Sequence, residues 1–422
     1  MENKKRLLIY AHYYVPDTAS TGQILRELAE GMSDTFDITV ICTVPSYLGT
    51  VEEKYKTQKY YFEEINGIKV IRVRVPEFSK ANKISRIKNI VAYFFGAMGA
   101  SFKAGKQDYV FSISQPPVLG GLLGVWGKWV KRAKYIYNIQ DFNPEQTMAV
   151  GYSKNGAALK AMLWLDKFSC KCSDCVITVG RDLVDTLKNR FKGKNVPNHA
   201  LINNWADDKS IYPLDRDDEN VRAFLDANGL SDKYVIMYSG NIGLYYDLQG
   251  IIKVMERFKS GARAADGREL CFVFVGAGSI LEELQEYVRE HDMQNVKFLP
   301  YQDKGKLIYS LNAADVHLCV NAKGIKGVSC PSKYYGIAAA AKPVIAVLEE
   351  GSEIRCIIEE TNGGKVSEPG DYAALEQSIR FFLGNADNDT AKEMGKRGYA
   401  YMKENLTRER SVEKYRRTIL GL

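Results

Sequence analysis

Nothing in this 422-residue chain stays apolar for long enough to cross a bilayer. The longest nearly uncharged segments, around Ile90–Ala100 and Pro116–Gly127, fall short of the roughly 20 residues that a spanning helix needs. The beginning is also short of apolar residues. Lys4, Lys5 and Arg6 precede only four strand-like residues, too few for the core of a secretory leader, so export is not expected. Cysteine is sparse too: the eight, at positions 42, 170, 172, 175, 271, 319, 330 and 356, are scattered as in a reduced cytosolic protein. One cluster, Cys170-Lys-Cys172-Ser-Asp-Cys175, could give zinc three thiolates, but no fourth ligand is near and the spacing is not that of a zinc ribbon. Its plainer reading is a helix end running into a strand, with small thiols packed inside.

What is present is an ordinary globular composition, 45% hydrophobic and 26% charged, with the charge unevenly spread. Residues 1–203 hold 29 Lys and Arg against 18 Asp and Glu, whereas the remainder holds 29 against 33. A basic first half is expected to face something anionic, such as nucleic acid or lipid headgroups, unless it is simply a solvated surface. No recognisable nucleic-acid motif accompanies the charge, so no nucleic-acid partner is expected. Ile84, Ile87, Val91, Phe94, Met98 and Phe102 recur at helical spacing among Lys80, Lys83, Arg86, Lys88, Lys103 and Lys106. A second basic group, Lys128, Lys131, Arg132 and Lys134, surrounds Trp129. Such a stripe is either core or a face that docks on an anionic bilayer.

Short apolar runs alternate with helical patterns almost from end to end. Strands are expected at Leu7–Tyr10, Ile38–Cys42, Tyr109–Ile113, Tyr135–Ile139 and Val176–Val179, with a hairpin turning at Asn66-Gly67. After a polar break at 203–218 the alternation restarts, with runs at Tyr234–Tyr238, Cys271–Val275, Val296–Leu299, Val316–Val320 and Pro343–Val347. Runs without strict alternation fit strands buried on both faces. The pattern predicts an α/β protein of two Rossmann-like, doubly wound domains facing across a cleft. Their expected bounds are 1–205 and 206–405, with a basic helix in 406–422. Ligands of such sheets bind beyond the carboxyl ends of the strands, so those loops carry the candidate chemistry.

The loop Gly276-Ala-Gly278-Ser-Ile-Leu281 has two glycines of a dinucleotide fingerprint, but Leu281 stands at the third and no acid ends the next strand. A tight turn accounts for it. In Tyr238-Ser-Gly240-Asn241-Ile-Gly243 two glycines would admit a close ligand or make a plain turn. In Pro331-Ser332-Lys333 a helix start brings unpaired N–H groups and a full positive charge together, an anion site suited to a nucleotide-sugar diphosphate. The other reading is a capped helix with a surface lysine; on either reading the lysine is expected to be exposed in the first turn, so that its loss leaves folding untouched. In the first domain, Gln140-Asp141-Phe-Asn-Pro-Glu145 follows a strand. Its carboxylates could hold sugar hydroxyls, or Asp141 or Asn143 could cap a helix.

Taken together, Tyr13-Tyr-Val-Pro16 with Gly22, Arg72-Val, Gln140–Glu145, Asn204-Trp205-Ala-Asp, Tyr238–Gly243 and Pro331-Ser-Lys333 leading to Ala341-Lys-Pro-Val-Ile resemble glycosyltransferase family 4 over nearly the whole chain. These are retaining enzymes of the GT-B fold, and the likeness is to the bacterial branch that builds O-antigen, capsule and exopolysaccharide. The resemblance implies a UDP-sugar donor, a lipid-diphosphate-linked saccharide acceptor, no divalent metal or other cofactor, and a place on the inner face of the cytoplasmic membrane. It further implies Gly22 near the donor phosphates and Asp141, with Glu145, at the transferred sugar. Gly240, Asn241 and Gly243 would line the donor, Ser332 and Lys333 would hold the diphosphate, and Leu299 and Tyr301 would flank the uracil. The final helix would cross back to the first domain. The sequence departs from the wider family in having Asn241 and Tyr246 where an Arg and a Lys are common. It also has Val328 and Gly336 at the two positions of the family's glutamate pair. Two other readings stay open: a GT-B UDP-sugar epimerase, and a non-catalytic accessory subunit of a transferase.

Overall fold

The computed structural model describes residues 4–79, 82–149, 151 and 156–422, which divide into two compact units. The first comprises residues up to Val179, then Leu183–Ile202 and Val412–Leu422; the second comprises Gly180–Asp182 and Asn203–Ser411.

The first unit is built on eight strands: β1 (Lys5–Tyr10), β2 (Phe36–Thr43), β3 (Tyr60–Ile65), β4 (Ile68–Val73), β5 (Tyr109–Ile113), β6 (Lys134–Ile139), β7 (Cys175–Thr178) and β8 (His199–Leu201). They lie in the order β3-β4-β2-β1-β5-β6-β7-β8. Every pair is parallel except the hairpin β3–β4, which turns through Asn66 and Gly67, both at positive φ as such turns require. Helices α1 (Ser20–Met32), α2 (Lys83–Ser101), α3 (Leu119–Lys131), α4 (Glu145–Ala149), α5 (Gly156–Cys172) and α6 (Arg181–Arg190) supply the crossovers. Asn82 starts α2 by accepting hydrogen bonds from the N–H groups of Ile84 (3.0 Å) and Ser85 (3.2 Å). Helix α3 lies flush on the sheet because glycines face it; a Cβ on Gly124 would sit 2.0 Å from the Tyr135 ring. Cys170 and Cys172 close α5 and Cys175 opens β7, with Cys170 and Cys175 buried, which is the packed-thiol arrangement.

The second unit carries β9 (Lys233–Ser239), β10 (Glu269–Val275), β11 (Val296–Leu299), β12 (Val316–Val320), β13 (Val344–Val347) and β14 (Gly364–Ser367) in the all-parallel order β11-β10-β9-β12-β13-β14. Its helices are α7 (Glu219–Ala227), α8 (Leu248–Glu256), α9 (Leu281–Glu290), α10 (Leu307–Ala313), α11 (Lys333–Ala339), α12 (Glu353–Thr361), α13 (Tyr372–Gly384) and α14 (Thr390–Asn405). Side chains alternate across the pleat, and both faces are covered. Tyr234, Ile236 and Tyr238 of β9 join one core with residues of α8, α9 and α13. Val235 and Met237 join another with Val221 and Leu225 of α7. Double burial is why these strands read as unbroken apolar runs.

The division between units falls after Ile202, slightly ahead of the expected 205/206, because the Ala206 N–H bonds the Leu406 carbonyl (2.9 Å) and holds this stretch in the second unit. The last helix, α15 (Arg408–Leu420), begins there, its Ser411 hydroxyl donating to the Asn203 carbonyl (3.0 Å). From Val412 onward it belongs to the first unit: Tyr415 accepts from Asn138 Nδ2 (2.8 Å), and Arg416 donates to the Gly31 carbonyl (2.9 Å).

Candidate functional site

In both sheets the strand order reverses once, between β1 and β5 in the first unit and between β9 and β12 in the second. Crevices beyond the carboxyl ends of strands at such reversals are where α/β sheets bind ligands.

At the second reversal, the loop after β9 is clasped by its neighbours. The Gly240 N–H bonds the Val275 carbonyl, Ile242 N–H the Ala277 carbonyl (both 2.9 Å), and Ala322 N–H the Tyr245 carbonyl (2.7 Å). The two glycines that resemble a dinucleotide fingerprint serve this clasp. A Cβ on Gly276 would lie 1.9 Å from the Gly240 carbonyl oxygen, and one on Gly278 would lie 2.0 Å from that of Ile242. Gly240 itself, at φ 143°, leaves room for a visitor from α11, since a Cβ there would come within 2.7 Å of Lys333 Cε. The Lys333 stem therefore runs over the Gly240 backbone, and its ammonium sits 3.5 Å from the centroid of the Tyr246 ring and 5.0 Å from that of Tyr238. Among the described residues no carboxylate pairs with it. Burial pulls its pKa down from 10.5 to about 8, an effect only partly countered by Cys319.

This corrects the expectation of a surface lysine. Lys333 is half-buried, and its charge rests on ring faces. The helix behind it also differs from the expected one. Helix α11 has seven residues, and the Ser332 side chain makes no capping hydrogen bond, so attraction for an anion comes from the ammonium rather than from a helix dipole. Gly240 and Lys333 are thus brought together, with Gly243 further along the same loop; Asn241 is exposed, and its carbonyl accepts from the Tyr238 hydroxyl (2.6 Å). Leu299 ends β11 and accepts from the Gly276 N–H (2.9 Å), while Tyr301 beyond it is largely exposed. The two rings under Lys333 went unassigned by sequence reasoning. Tyr238 reads as strand core, and only the replacement of a common lysine by Tyr246 marked that position.

The first unit holds the remaining candidates. Gly22 lies in the first turn of α1, where the place of a Cβ is 3.0 Å from the Tyr13 carbonyl oxygen. The loop opposite is anchored by Arg72, wholly buried, which donates to Glu63 Oε2 (2.6 Å) and to the carbonyls of Val15 (2.6 Å) and Thr43 (3.3 Å). Asp141 is half-buried after β6, its N–H 3.4 Å from Ser114 Oγ. Glu145 is held in place: Arg190 of α6 donates to both its oxygens, from Nε (2.7 Å) and Nη2 (2.6 Å). The same guanidinium bonds buried Asp166 and the Asn143 carbonyl (2.9 Å) and lies over the Phe142 ring. Nothing in the sequence points to Arg190: the apolar pattern of its helix is carried by Leu183, Val184 and Leu187, and no spacing links it to Glu145.

The predicted apolar stripe on α2 is solvent-facing, with Phe95 in place of Phe94 and without Met98. Ile84 (66% exposed), Ile87, Val91 and Phe95 (64%) form it, whereas Phe94 and Met98 turn partly inward. Phe102 beyond the helix, Trp129 of α3 and Trp164 of α5 are also exposed. Lys80 lies outside the described residues. Among the described residues no helix is long and apolar enough to cross a membrane. None of them forms a cluster of three or more metal-ligating side chains. The Asp-x-Asp triplets at Asp215–Asp217 and Asp387–Asp389 sit in turns ahead of α7 and α14.

Two family models match, glycosyl transferase 4-like domain over residues 21–204 and glycosyl transferases group 1 over residues 221–401. WbjE of Pseudomonas aeruginosa, described as a glycosyltransferase, is 28% identical over 312 residues, 72% of this chain and 74% of its own. WcaI of Escherichia coli K12, described as a colanic acid biosynthesis glycosyl transferase, is 24% identical over 416 residues, 96% of this chain and 98% of its own. Among solved structures, HepE of Anabaena in complex with UDP is similar at a TM-score of 0.70 and 12% identity, covering 99% of this chain and 100% of that one. The chain is a glycosyltransferase of the GT-B fold, a 4-like domain in its first unit followed by a group 1 domain in its second.

Proposed function

We propose that this glycosyltransferase moves a sugar from a UDP-sugar to a lipid-diphosphate-linked saccharide, with retained anomeric configuration, in the synthesis of a surface polysaccharide. The observation that carries the reading is the Lys333 ammonium, half-buried at the strand reversal of the second unit with no carboxylate partner among the described residues. A cation held out of water without a counter-charge is a site for an anion, and a diphosphate that gains charge as it leaves is best served there. UDP in the similar HepE structure and the polysaccharide role in the description of WcaI support the same reading. Gly240 and Gly243 would let the donor approach the backbone, Ser332 would add a hydroxyl, and Leu299 and Tyr301 would flank the base. Asp141 would hold sugar hydroxyls, and Glu145, tied to Arg190, would position that loop. In front-face transfer the acceptor oxygen bonds C1 as the C1–O bond to the diphosphate breaks. The acceptor's proton passes to the departing phosphate oxygen, so no glycosidase-like carboxylate pair is needed.

A panel of UDP-sugars, with and without lipid-diphosphate-sugar acceptors, should give an acceptor product one sugar heavier by mass. Conversion of the donor without an acceptor would point to an epimerase, and absence of UDP binding would point to an accessory subunit.

The exposed stripe of α2 and the basic residues beside it would seat the first unit on an anionic membrane, with the enzyme peripheral on the inner face. Each basic residue near such a surface contributes about 1 kcal/mol, weakened by salt. The protein should therefore float with vesicles of phosphatidylglycerol at low salt and less with phosphatidylcholine alone. Neutralising Lys83, Lys88 and Lys103 together should release it. Equal flotation of that variant would remove the electrostatic part of the reading.

A further inference from the structure

The ring beneath the Lys333 ammonium belongs to a loop that is fixed from three sides. Tyr246 ends a single 3₁₀ turn, Leu244–Tyr246. Just before it, the Tyr245 carbonyl accepts from the Ala322 N–H (2.7 Å). Just after it, Asp247, at φ 50°, accepts from the hydroxyl of Tyr372 (2.8 Å), the first residue of α13. Gly250 of α8 makes room for that hydroxyl, since a Cβ there would lie 2.0 Å from it. The Tyr246 ring itself meets that of Tyr238 edge-on, with 6.0 Å between centroids and 62° between planes. The place and the plane of this ring are therefore set by the fold.

A lysine stem is flexible, and an ammonium left to it ranges widely through solvent. Here the stem lies over Gly240, and the ammonium stops 3.5 Å from the Tyr246 centroid, well inside the roughly 6 Å over which a ring face attracts a cation. Among the described residues, the titratable groups set against it are Tyr238 from β9, Tyr246, and Cys319 from β12. Burial pushes the Cys319 thiol up to about 12 and raises the Tyr238 phenol as well, so neither is an anion at neutral pH. A carboxylate in place of the ring would also hold the ammonium, but it would cancel the charge. A π face holds the cation and leaves its charge available. The lysine is thus ordered as the protein folds, and an anion meets a cation already in position.

We propose that Tyr246 is a positioning residue for the transfer: its ring face is the seat from which Lys333 presents its charge to the donor diphosphate. The inference deepens the proposed function and rests on the diphosphate lying at Lys333. UDP binding by calorimetry between pH 6.5 and 9 (both about the limits of the useful range) tests it on the full chain. At the lower pH, Tyr246→Leu should weaken UDP about fivefold, and Tyr246→Phe, which keeps the ring, should restore nearly all of that loss. The decline in affinity with rising pH should start about half a unit lower in Tyr246→Leu, because the lost ring favoured the ammonium over the amine. In the Lys333→Met background, Tyr246→Leu should change nothing further, which would not hold for a ring that touched the donor itself or served only as shape. If Tyr246→Leu folds poorly, replacing Tyr246 by phenylalanine with one, two or three ring fluorines keeps the shape and weakens the ring face in steps, and UDP affinity should fall in that order. Unchanged or tighter UDP binding in Tyr246→Leu, a decline that moves to higher pH, or an additive loss in the double variant overturns the seat. Those results leave the donor reading standing as long as Lys333→Met weakens UDP. Wild-type UDP affinity in Lys333→Met would remove the donor reading, and the seat with it.

Discussion

Lys333→Met is expected to lower kcat/KM by roughly ten- to several-hundred-fold and to weaken UDP binding, yet to leave the unliganded protein as stable as its parent or more so. A charge-assisted bond to phosphate contributes roughly 1.5–3 kcal/mol, and more is lost where the leaving group gains charge. The stability half follows from the depressed pKa. The group titrates at 10.5 when unfolded and at about 8 in the fold, so the penalty for holding the charge is fully present below pH 8 and fades as pH rises from 8 to 10.5. Methionine fills the stem's track over Gly240 without that penalty. At pH 7 its unfolding midpoint should equal or exceed that of the wild type, an advantage that shrinks above pH 8. A bound diphosphate favours the charged amine, so wild-type UDP affinity should decline from pH 8 to 9 and that of the methionine variant should not. Lys333→Arg should rescue only in part, since a planar fork does not fit the space between the Gly240 backbone and the Tyr246 ring. Wild-type turnover and UDP affinity in the methionine variant would place the diphosphate elsewhere, with the Gly240–Gly243 backbone next in line.

Arg190→Met should be the most damaging single change in the first unit, at about 3–5 kcal/mol by urea unfolding at neutral pH. It strips the cation from two carboxylates at once, Asp166 in the interior and Glu145 at its edge. Tyr137 would still donate to Asp166 Oδ1 (2.5 Å), but a hydroxyl does not neutralise a buried charge. Burial already raises the Asp166 pKa and Arg190 restrains it; without Arg190 the carboxyl climbs further. A raised carboxyl contributes stability that is present at low pH and lost as pH rises, so the deficit should narrow towards pH 5. Adding Asp166→Leu should recover part of the loss, as expected when an unpaired charge rather than a missing shape is at fault. A loss below about 1 kcal/mol would mean that water reaches this cluster.

Most strands of both sheets could be read from the sequence because burial on both faces leaves a plain trace, an apolar run such as Cys271–Val275. The two that could not, β8 (His199–Leu201) and β14 (Gly364–Ser367), are short edge strands with half-exposed residues. They are strands because β7 and β13 offer them partners, a fact located outside their own residues. Site residues divide in the same way. Lys333 and the Gly240 loop could be picked out singly, as a cation at a helix start and glycines after a strand. The burial of Lys333 could not, because the rings beneath it come from β9 and the loop that follows, far away in sequence. Glu145 reads as an available carboxylate until α6 brings Arg190 to it. The period of α2 identified an apolar face, but periodicity does not say whether a face turns to solvent. Phe95 rather than Phe94 is exposed because, at about 100° per residue, position 95 lies nearly in line with Ile84 and position 94 does not.

The close approach of Gly240 and Lys333 also bears on the history of such sequences. With Lys333 Cε lying 2.7 Å from where a Cβ would be, a β-carbon at 240 would push the lysine stem aside, at a φ of 143° that side chains rarely adopt. A lineage that replaces Gly240 by a residue with a side chain moves the lysine off this track, whereas one that loses Lys333 can keep the glycine, so the constraint between the two positions runs in one direction.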